Sequence, residues 1–503
     1  MGTKHQSSSN PISDSKKKRR VGFSKIDAGV EANECFKIYL VSKGEEVDSA
    51  DSFCIEPVDL NHFFEDDGKI YGYQGLKITI WVSSISLHAY ADISFESTSD
   101  GGKGITDLKS ALQNIFAENL VEKKDDFLQT FSTHRQYVKS VVADGQVLEL
   151  PAKDGFGEDS GLEIFRIVGT PVGHLYSRLV PLVLLLIDGS NPIDISDPSW
   201  EIYLLVQKTT VEQEYGILSI LGFAAVYRFF KYPDSMRLRL GQILVLPPYQ
   251  RKGYGGCLLK VLNNIAISEN VYDLTVEEPE DSLQYVRTFI DVQRLLAFSP
   301  IEKVLSSVVA RLKEENLSKK SYLFPFRPPT STIEDVRKNL KINKKQFLQC
   351  WEVLIYLGLG PSEKNMQNFR TIISARVKAD VIGKDSEGVG KRVVDVPTEY
   401  EQEMSFVMFK SENDETTKPE IDENQSKQEE QLRQLVDARM EDISLLQKRF
   451  QRLAEEDFFD KCDRGLLVIS LQHYCPFRDW HTTHLLGYMH CPYLETNDFP
   501  QNH

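Results

Sequence analysis

A chain of 503 residues is longer than one hydrophobic core usually grows, so two or three domains with tails are expected, and 41% apolar residues can fill sizeable cores. A formal charge of -15 argues against a protein that coats nucleic acid and suits a basic protein or peptide partner. No apolar run reaches the roughly 18 residues that cross a bilayer, and seven unevenly spread cysteines read as reduced thiols of a nuclear or cytosolic protein, not as a disulfide framework.

Residues 1–30 read as a disordered basic arm. They have no apolar signal-peptide core, and Gln6 breaks the myristoylation pattern. Lys16 to Arg20 is either a nuclear-import tag or a solvated charge run. Residues 31–167 combine alternating apolar runs, such as LKITIWVSSISL from Leu76, with helical spacing from Leu108 to Leu120, which predicts an α/β domain. A second block, 168–290, opens with LVPLVLLLI (Leu179–Ile187), read as a strand. Strands are then expected over Glu201–Thr209, Gly216–Phe230 and Arg237–Pro248, joined by short turns and so largely antiparallel. Residues 291–380 space apolar side chains three and four apart and predict a small helical domain. An acidic polar linker (381–430), a charged amphipathic helix (431–460) and an irregular tail (461–503) complete the order.

The chemistry concentrates at ILVLPPYQRKGYGGCLLKVLNNIA, an apolar β-branched run that breaks at Pro247-Pro248, turns through glycines and resumes at helical spacing. Neither the Rossmann fingerprint nor the P-loop fits the string Gln250, Arg251, Lys252, Gly253, Tyr254, Gly255, Gly256. Glycines there let the backbone turn its N–H groups to one side, and a helix starting near Gly255 adds free donors and the positive dipole end. The joint can hold a pyrophosphate, or Gly255-Gly256 can be a close-packed helix start. Cys257, one residue further on, is read as a small apolar helix residue and not as a nucleophile.

This Q-x-x-G-x-G between strand and helix resembles the acetyl-CoA loop of the GNAT acetyltransferase superfamily. With LTVEEPEDS, YGYQGLKITIW (Tyr71–Trp81) and KINKKQFLQCWEVL (Lys341–Leu354), it resembles the type B histone acetyltransferase catalytic subunits over about Cys35 to Val377. The resemblance implies an α/β (α+β) fold in which a GNAT-type mixed, largely antiparallel sheet with flanking helices stands between an N-terminal α/β domain and a helical domain. It also implies direct transfer of acetyl from acetyl-CoA to a lysine near the N-terminus of newly made histone H-four, without a metal. A lysine ammonium, with a free pKa of about 10.4, must first lose a proton to a base.

On this resemblance Glu277 is the general base and Glu278 a second carboxylate. Asp188, aligned through Trp200, is a third, at a place where the family usually carries a longer glutamate. Ile243, Leu244 and Val245 would pair with pantetheine, and Gln250 to Gly256 would hold the pyrophosphate, with Arg251 and Lys252 adding charge. Ser282 and Arg287 are weaker cofactor contacts. Glu65, Asp66 and Asp67, with Tyr227, Arg228 and Phe229, match the family's peptide-contacting segments, although Arg228 shares the sign of a basic tail. A WD-repeat histone chaperone is the implied partner, and nucleus and cytoplasm are the expected locations. No direct nucleic-acid binding and no membrane contact are expected. Cys475, His481, His484 and Cys491 invite a zinc reading, but no C-x-x-C is present and an unstructured extension is expected instead. Two other functions remain open: an acetyltransferase for another protein or a small amine, and an inactive histone-binding module, which would need a blocked turn or a missing base.

Overall fold

The computed structural model describes residues 29–49, 52–58, 60, 63–64, 68–150, 161–211, 214–314, 326–360, 362–382 and 418–463. In the N-terminal part, strands β1 (Phe36–Val41), β2 (Phe53–Ile55), β3 (Lys77–Ser83), β4 (Ala89–Ser94) and β5 (Leu120–Val121) form one sheet in the order β2-β1-β3-β4-β5. β1 runs parallel to β3 and β4 parallel to β5, with the other pairs antiparallel. Helix α1 (Leu108–Phe116) starts where the Asp107 carboxylate accepts the Ser110 N–H at 3.1 Å, and it buries Leu108, Leu112, Ile115 and Phe116.

The central sheet has six strands in chain order: β6 (Gln146–Leu148), β7 (Leu162–Val168), β8 (Trp200–Val211), β9 (Glu214–Lys231), β10 (Ser235–Val245) and β11 (Leu274–Val276). All pairs are antiparallel except β10–β11. This is the mixed, largely antiparallel sheet that the resemblance implied. The stretch Leu179–Ile187 is not a strand: Thr170–Leu186 is helix α2, with Pro181 inside it. α2 lies in one core cluster with residues of both sheets, including Ile78, Ile80, Ile202, Leu204 and Phe223. A helix buried on most sides is apolar on most sides, so its sequence loses the period that separates helix from strand.

On the opposite face of the central sheet, helix α3 (Tyr254–Ser268) buries Leu258, Leu262 and Ala266 against Leu205, Leu221, Ala224 and Leu240. Helices α4 (Asp281–Leu296), α5 (Glu302–Glu314), α6 (Thr330–Leu340), α7 (Lys344–Leu359) and α8 (Glu363–Ile382) share a separate core around Trp351, whose indole N–H donates to the Phe326 carbonyl at 2.8 Å. The last helix, α9, runs Lys418–Asp463, so helix begins well inside the stretch read as a polar linker. Glu, Gln and Lys are strong helix formers whatever their polarity. α9 docks through Val436, Ile443 and Leu446, and Arg439 reaches Glu352 at 3.0 Å. The basic arm and the His/Cys-rich tail lie outside the described residues. No helix among those residues is long and apolar enough to cross a membrane.

Candidate active site

The site is built around β10, which is paired differently along its two halves. In the lower half, Leu238–Leu240 runs beside Leu274–Val276, and the Glu277 N–H donates to the Leu240 carbonyl at 2.9 Å. The Arg237 guanidinium fastens the start of this pairing by donating to both oxygens of the nearly buried Asp273 carboxylate, at 2.6 and 3.0 Å. In the upper half, Gly241 to Val245 keeps β9 on one side and has no strand on the other among the described residues. The sheet therefore opens above Leu240 and leaves a backbone edge at Ile243, Leu244 and Val245. An extended amide-bearing chain can pair with such an edge as a further strand would.

The edge leads directly into the glycine turn. Gln250 Nε2 donates back to the Val245 carbonyl at 2.9 Å, and left-handed backbone at Arg251 (φ 63°) and Gly253 (φ 89°) brings the chain round to start α3 at Tyr254. Gly255 and Gly256 need no glycine for internal packing. A Cβ at Gly255 would meet Val245 at 3.8 Å, and one at Gly256 would meet Val286 and Ile290 at 3.8 Å, both ordinary contacts. The close-packed helix start thus gives no reason for these two glycines, whereas a group lying against the first-turn N–H donors does. Arg251 and Lys252 are exposed beside the turn. Cys257 is 1% exposed, within the core under α3, where a small apolar residue fits.

Strand alternation divides the neighbouring residues of β9 between two faces. On one face, Trp200 meets Tyr227 edge-on at 5.0 Å, Tyr227 meets Phe229 at 4.5 Å, and the Arg239 guanidinium lies 4.4 Å from the Phe229 ring centre. The Tyr227 hydroxyl donates to Asp197 at 2.7 Å, a bond that lowers the Asp197 pKa and raises that of Tyr227. Arg239 is also 3.8 Å from Glu277 Oε1, whose side chain stays 52% exposed. Glu277 Oε2 looks toward Gly241, where a Cβ would lie 3.7 Å from it and 3.0 Å from the Trp200 ring. The β9–β10 register shifts at this point, from Ala225 opposite Gln242 to Val226 opposite Leu240, so Gly241 is the extra residue of a bulge.

Arg228 belongs to the other face, which corrects its grouping with Tyr227 and Phe229. Its guanidinium pairs with Glu201 and, at 2.5 Å, with Glu269 at the end of α3, while Arg166 pairs with the same two acids at 2.7 and 2.6 Å. Burial works against the Arg228 charge, but the two carboxylates outweigh it and raise its pKa. Burial likewise opposes ionisation of Glu201, yet hydrogen bonds from Arg166, Arg228 and Tyr203 win and lower its pKa.

The remaining candidates are dispersed. Glu278 is exposed, and its φ of 32° breaks the strand alternation after Val276. Asp188 is exposed on the turn after α2. Its loop is tied to β10 through Asn191, whose carbonyl accepts the Gln242 side chain at 2.7 Å, and through Tyr176, which donates to Gln242 at 2.8 Å. Ser282 is exposed in the first turn of α4, but Arg287 turns inward, donating to the Leu274 carbonyl at 3.3 Å with Asp291 at 3.9 Å, and burial lowers its pKa. Glu65, Asp66 and Asp67 lie outside the described residues. Sequence reasoning passed over Arg239 and Gly241. A glycine inside the strand RLRLGQILV was the available signal, since it marks a bulge or a close approach. Among the described residues no group of acidic, His and Cys side chains is placed to hold a metal.

Residues 28–188 match the family profile described as "Histone acetyl transferase HAT1 N-terminus". The histone acetyltransferase type B catalytic subunit of Arabidopsis thaliana is 54% identical over 461 residues, covering 90% of this chain and 98% of its own. That of Zea mays is 51% identical over 437 residues, covering 85% and 92%. Among solved structures, an aminoglycoside acetyltransferase from an uncultured soil metagenomic sample aligns with 25% of this chain and 84% of its own at 18% identity, with a TM-score of 0.19, a likeness too slight to bear on the fold. Half the positions shared along nearly the whole of both plant relatives leave one conclusion: the chain belongs to the family of type B histone acetyltransferase catalytic subunits.

Proposed function

We propose that this histone acetyltransferase moves acetyl from acetyl-CoA directly to the ε-amine of lysines in the N-terminal tail of newly made, non-nucleosomal histone H-four, with Glu277 as general base. The observation that carries the reading is the half-exposed Glu277 carboxylate at the mouth of the opening above Leu240, between the aromatic face and the free edge of β10. The bound cosubstrate supplies an acyl thioester. Ile243, Leu244 and Val245 offer backbone groups to its amide-bearing arm, and the turn from Gln250 to Gly256 offers N–H donors to its diphosphate. Trp200, Tyr227 and Phe229 form a wall along which the lysine methylenes can lie. Glu277 then takes the ammonium proton, directly or through one water, so that the free amine can attack the thioester carbonyl; the carbon–sulfur bond breaks, and CoA leaves as its thiol with the proton that the new amide nitrogen sheds.

Glu278 and Asp188 are proposed as outer carboxylates that draw the basic tail in, and Ser282 as a peripheral cofactor contact. The negative charge of the whole chain suits a basic peptide rather than a nucleic acid. A WD-repeat histone chaperone would present the histone, and the enzyme would act in nucleus and cytoplasm. The test is radiolabel transfer from acetyl-CoA to free histones and to nucleosomes, by the wild type and Glu277→Gln. Labelling of free histone H-four alone, lost in the variant, supports the reading. Binding of CoA with no label on either histone form moves the acceptor to another protein or a small amine.

A further inference from the structure

Two features lie against the Glu277 carboxylate, one at each oxygen. Its Oε1 lies 3.8 Å from Arg239, whose guanidinium is itself fixed over the Phe229 ring at 4.4 Å and only 22% exposed. Its Oε2 is directed to the one place on the strand that has no side chain, at Gly241, beneath the Trp200 ring. β10 thus supplies, two residues apart, a cation near one oxygen and a bare backbone position on which the Trp200 ring rests near the other. The bulge places Gly241 in register with the end of the β10–β11 pairing, where the Glu277 backbone is anchored to Leu240.

We infer that Arg239 is a positioning residue for Glu277, and that Gly241 lets the Trp200 ring lie close against β10 beside Glu277 Oε2. A carboxylate on a strand end can rotate about its side-chain bonds, and an aromatic-backed guanidinium removes that freedom without touching the substrate. A Cβ at Gly241 would lie 3.0 Å from the Trp200 ring, so any side chain there would push the ring away from the Glu277 carboxylate. The inference rests on the reading of Glu277 as base.

The experiment is steady-state acetylation of free histone H-four by the full chain, with thermal unfolding of every variant. Arg239→Gln should lower kcat about 10- to 100-fold while KM for histone and for acetyl-CoA stays within about 2-fold, since orientation and not binding is lost. Arg239→Lys should recover part of that loss. Phe229→Leu, which removes the platform but keeps the charge, should lower kcat more weakly and, because its ring also lines the wall for the lysine methylenes, raise histone KM as well; Arg239→Met serves where Arg239→Gln unfolds. Gly241→Ala should depress kcat/KM for histone while leaving acetyl-CoA binding intact. A rise in histone KM alone in Arg239→Gln would make Arg239 a peptide contact and overturn the inference, as would wild-type rates. Glu277→Gln separates the two levels. If it is inactive while Arg239→Gln is unimpaired, only this inference fails, and if it keeps wild-type rates, the base reading fails first.

Discussion

The two faces of β9 differ in how completely their polar groups are satisfied. Behind the strand, Arg166, Arg228, Glu201, Glu269 and the Tyr203 hydroxyl form a closed set in which every charge meets an opposite one, with Glu201 only 5% exposed. In front, three aromatic rings and Arg239 surround a carboxylate that is half open to solvent. The same alternation that sends Arg228 backward sends Tyr227 and Phe229 forward. A saturated network has nothing left to offer a ligand, so it can only brace. An unsaturated one has a lone pair to spend on chemistry. Adjacent residues of one strand therefore carry unrelated duties, and the contrast can be tested from either side.

The largest effect should come from the open face. Glu277→Gln keeps shape and removes the base, and kcat should fall about 100- to 10,000-fold with the fold intact, as read by initial rates and thermal unfolding. Striking the closed face should do the reverse. Arg228→Met leaves Glu201 and Glu269 short of a partner and should cost about 3 kcal/mol of stability in denaturant titration, with kcat per folded molecule nearly unchanged. If Arg228→Met instead abolished histone binding, the division between the faces would collapse.

A third change spares both faces. Gly256→Val should cut acetyl-CoA affinity by about 10- to 100-fold in a direct binding assay. A companion Gly256→Ala should hold its stability, because alanine is a better helix former than glycine and its one added atom meets neighbours no closer than 3.8 Å. Unaltered affinity would return the glycine pair to a packing role.

The smallest expected effect concerns pH, and it arises in the N-terminal part. Burial, then Arg178, then the His134 ring, tilted against it with centres 4.6 Å apart, push His88 down to about 4. Above pH 6.5 the imidazole is neutral folded and unfolded, so no penalty exists. As pH falls from 6.5 toward 4, the unfolded chain takes up a proton that the folded one refuses, and stability declines by at most about 3 kcal/mol. Thermal unfolding at pH 7 and pH 5 should show the loss, and His88→Gln should flatten it. On the closed face of β9, the lowered Glu201 adds a further loss as pH falls below the ordinary glutamate range, where the unfolded chain binds a proton that the folded carboxylate refuses, and the loss is complete at its lowered folded value.

How much of this was legible in the sequence depends on the range of each interaction. The glycine turn is local: strand, break, glycines and helix follow one another over some two dozen residues, and the chain folds there as read. Tyr227 and Phe229 were visible too, but taking them as a contiguous trio drew in Arg228, which period-two alternation sends elsewhere. The meeting of Trp200, Tyr227, Arg239, Gly241 and Glu277 needs four strands in register, β8 to β11, and cannot be seen from spacing. α2 was misread because it lies between two sheets and its apolar character has no side. The start of α9 was missed because polarity was taken for disorder where helix propensity was high.

The stretch from Gly241 to Val245, which has a strand on one side only among the described residues, has a consequence beyond catalysis. An exposed strand edge is also a template for unwanted pairing with another chain. If acetyl-CoA lies along it, the cosubstrate acts as a removable strand that protects the sheet. A ligand that binds only the folded protein stabilises it by mass action, gaining roughly 2.7 kcal/mol at a hundred times its dissociation constant. Scarcity of acetyl-CoA would then slow histone acetylation and also shorten the working life of the enzyme, so that its abundance would record the metabolic state of the cell.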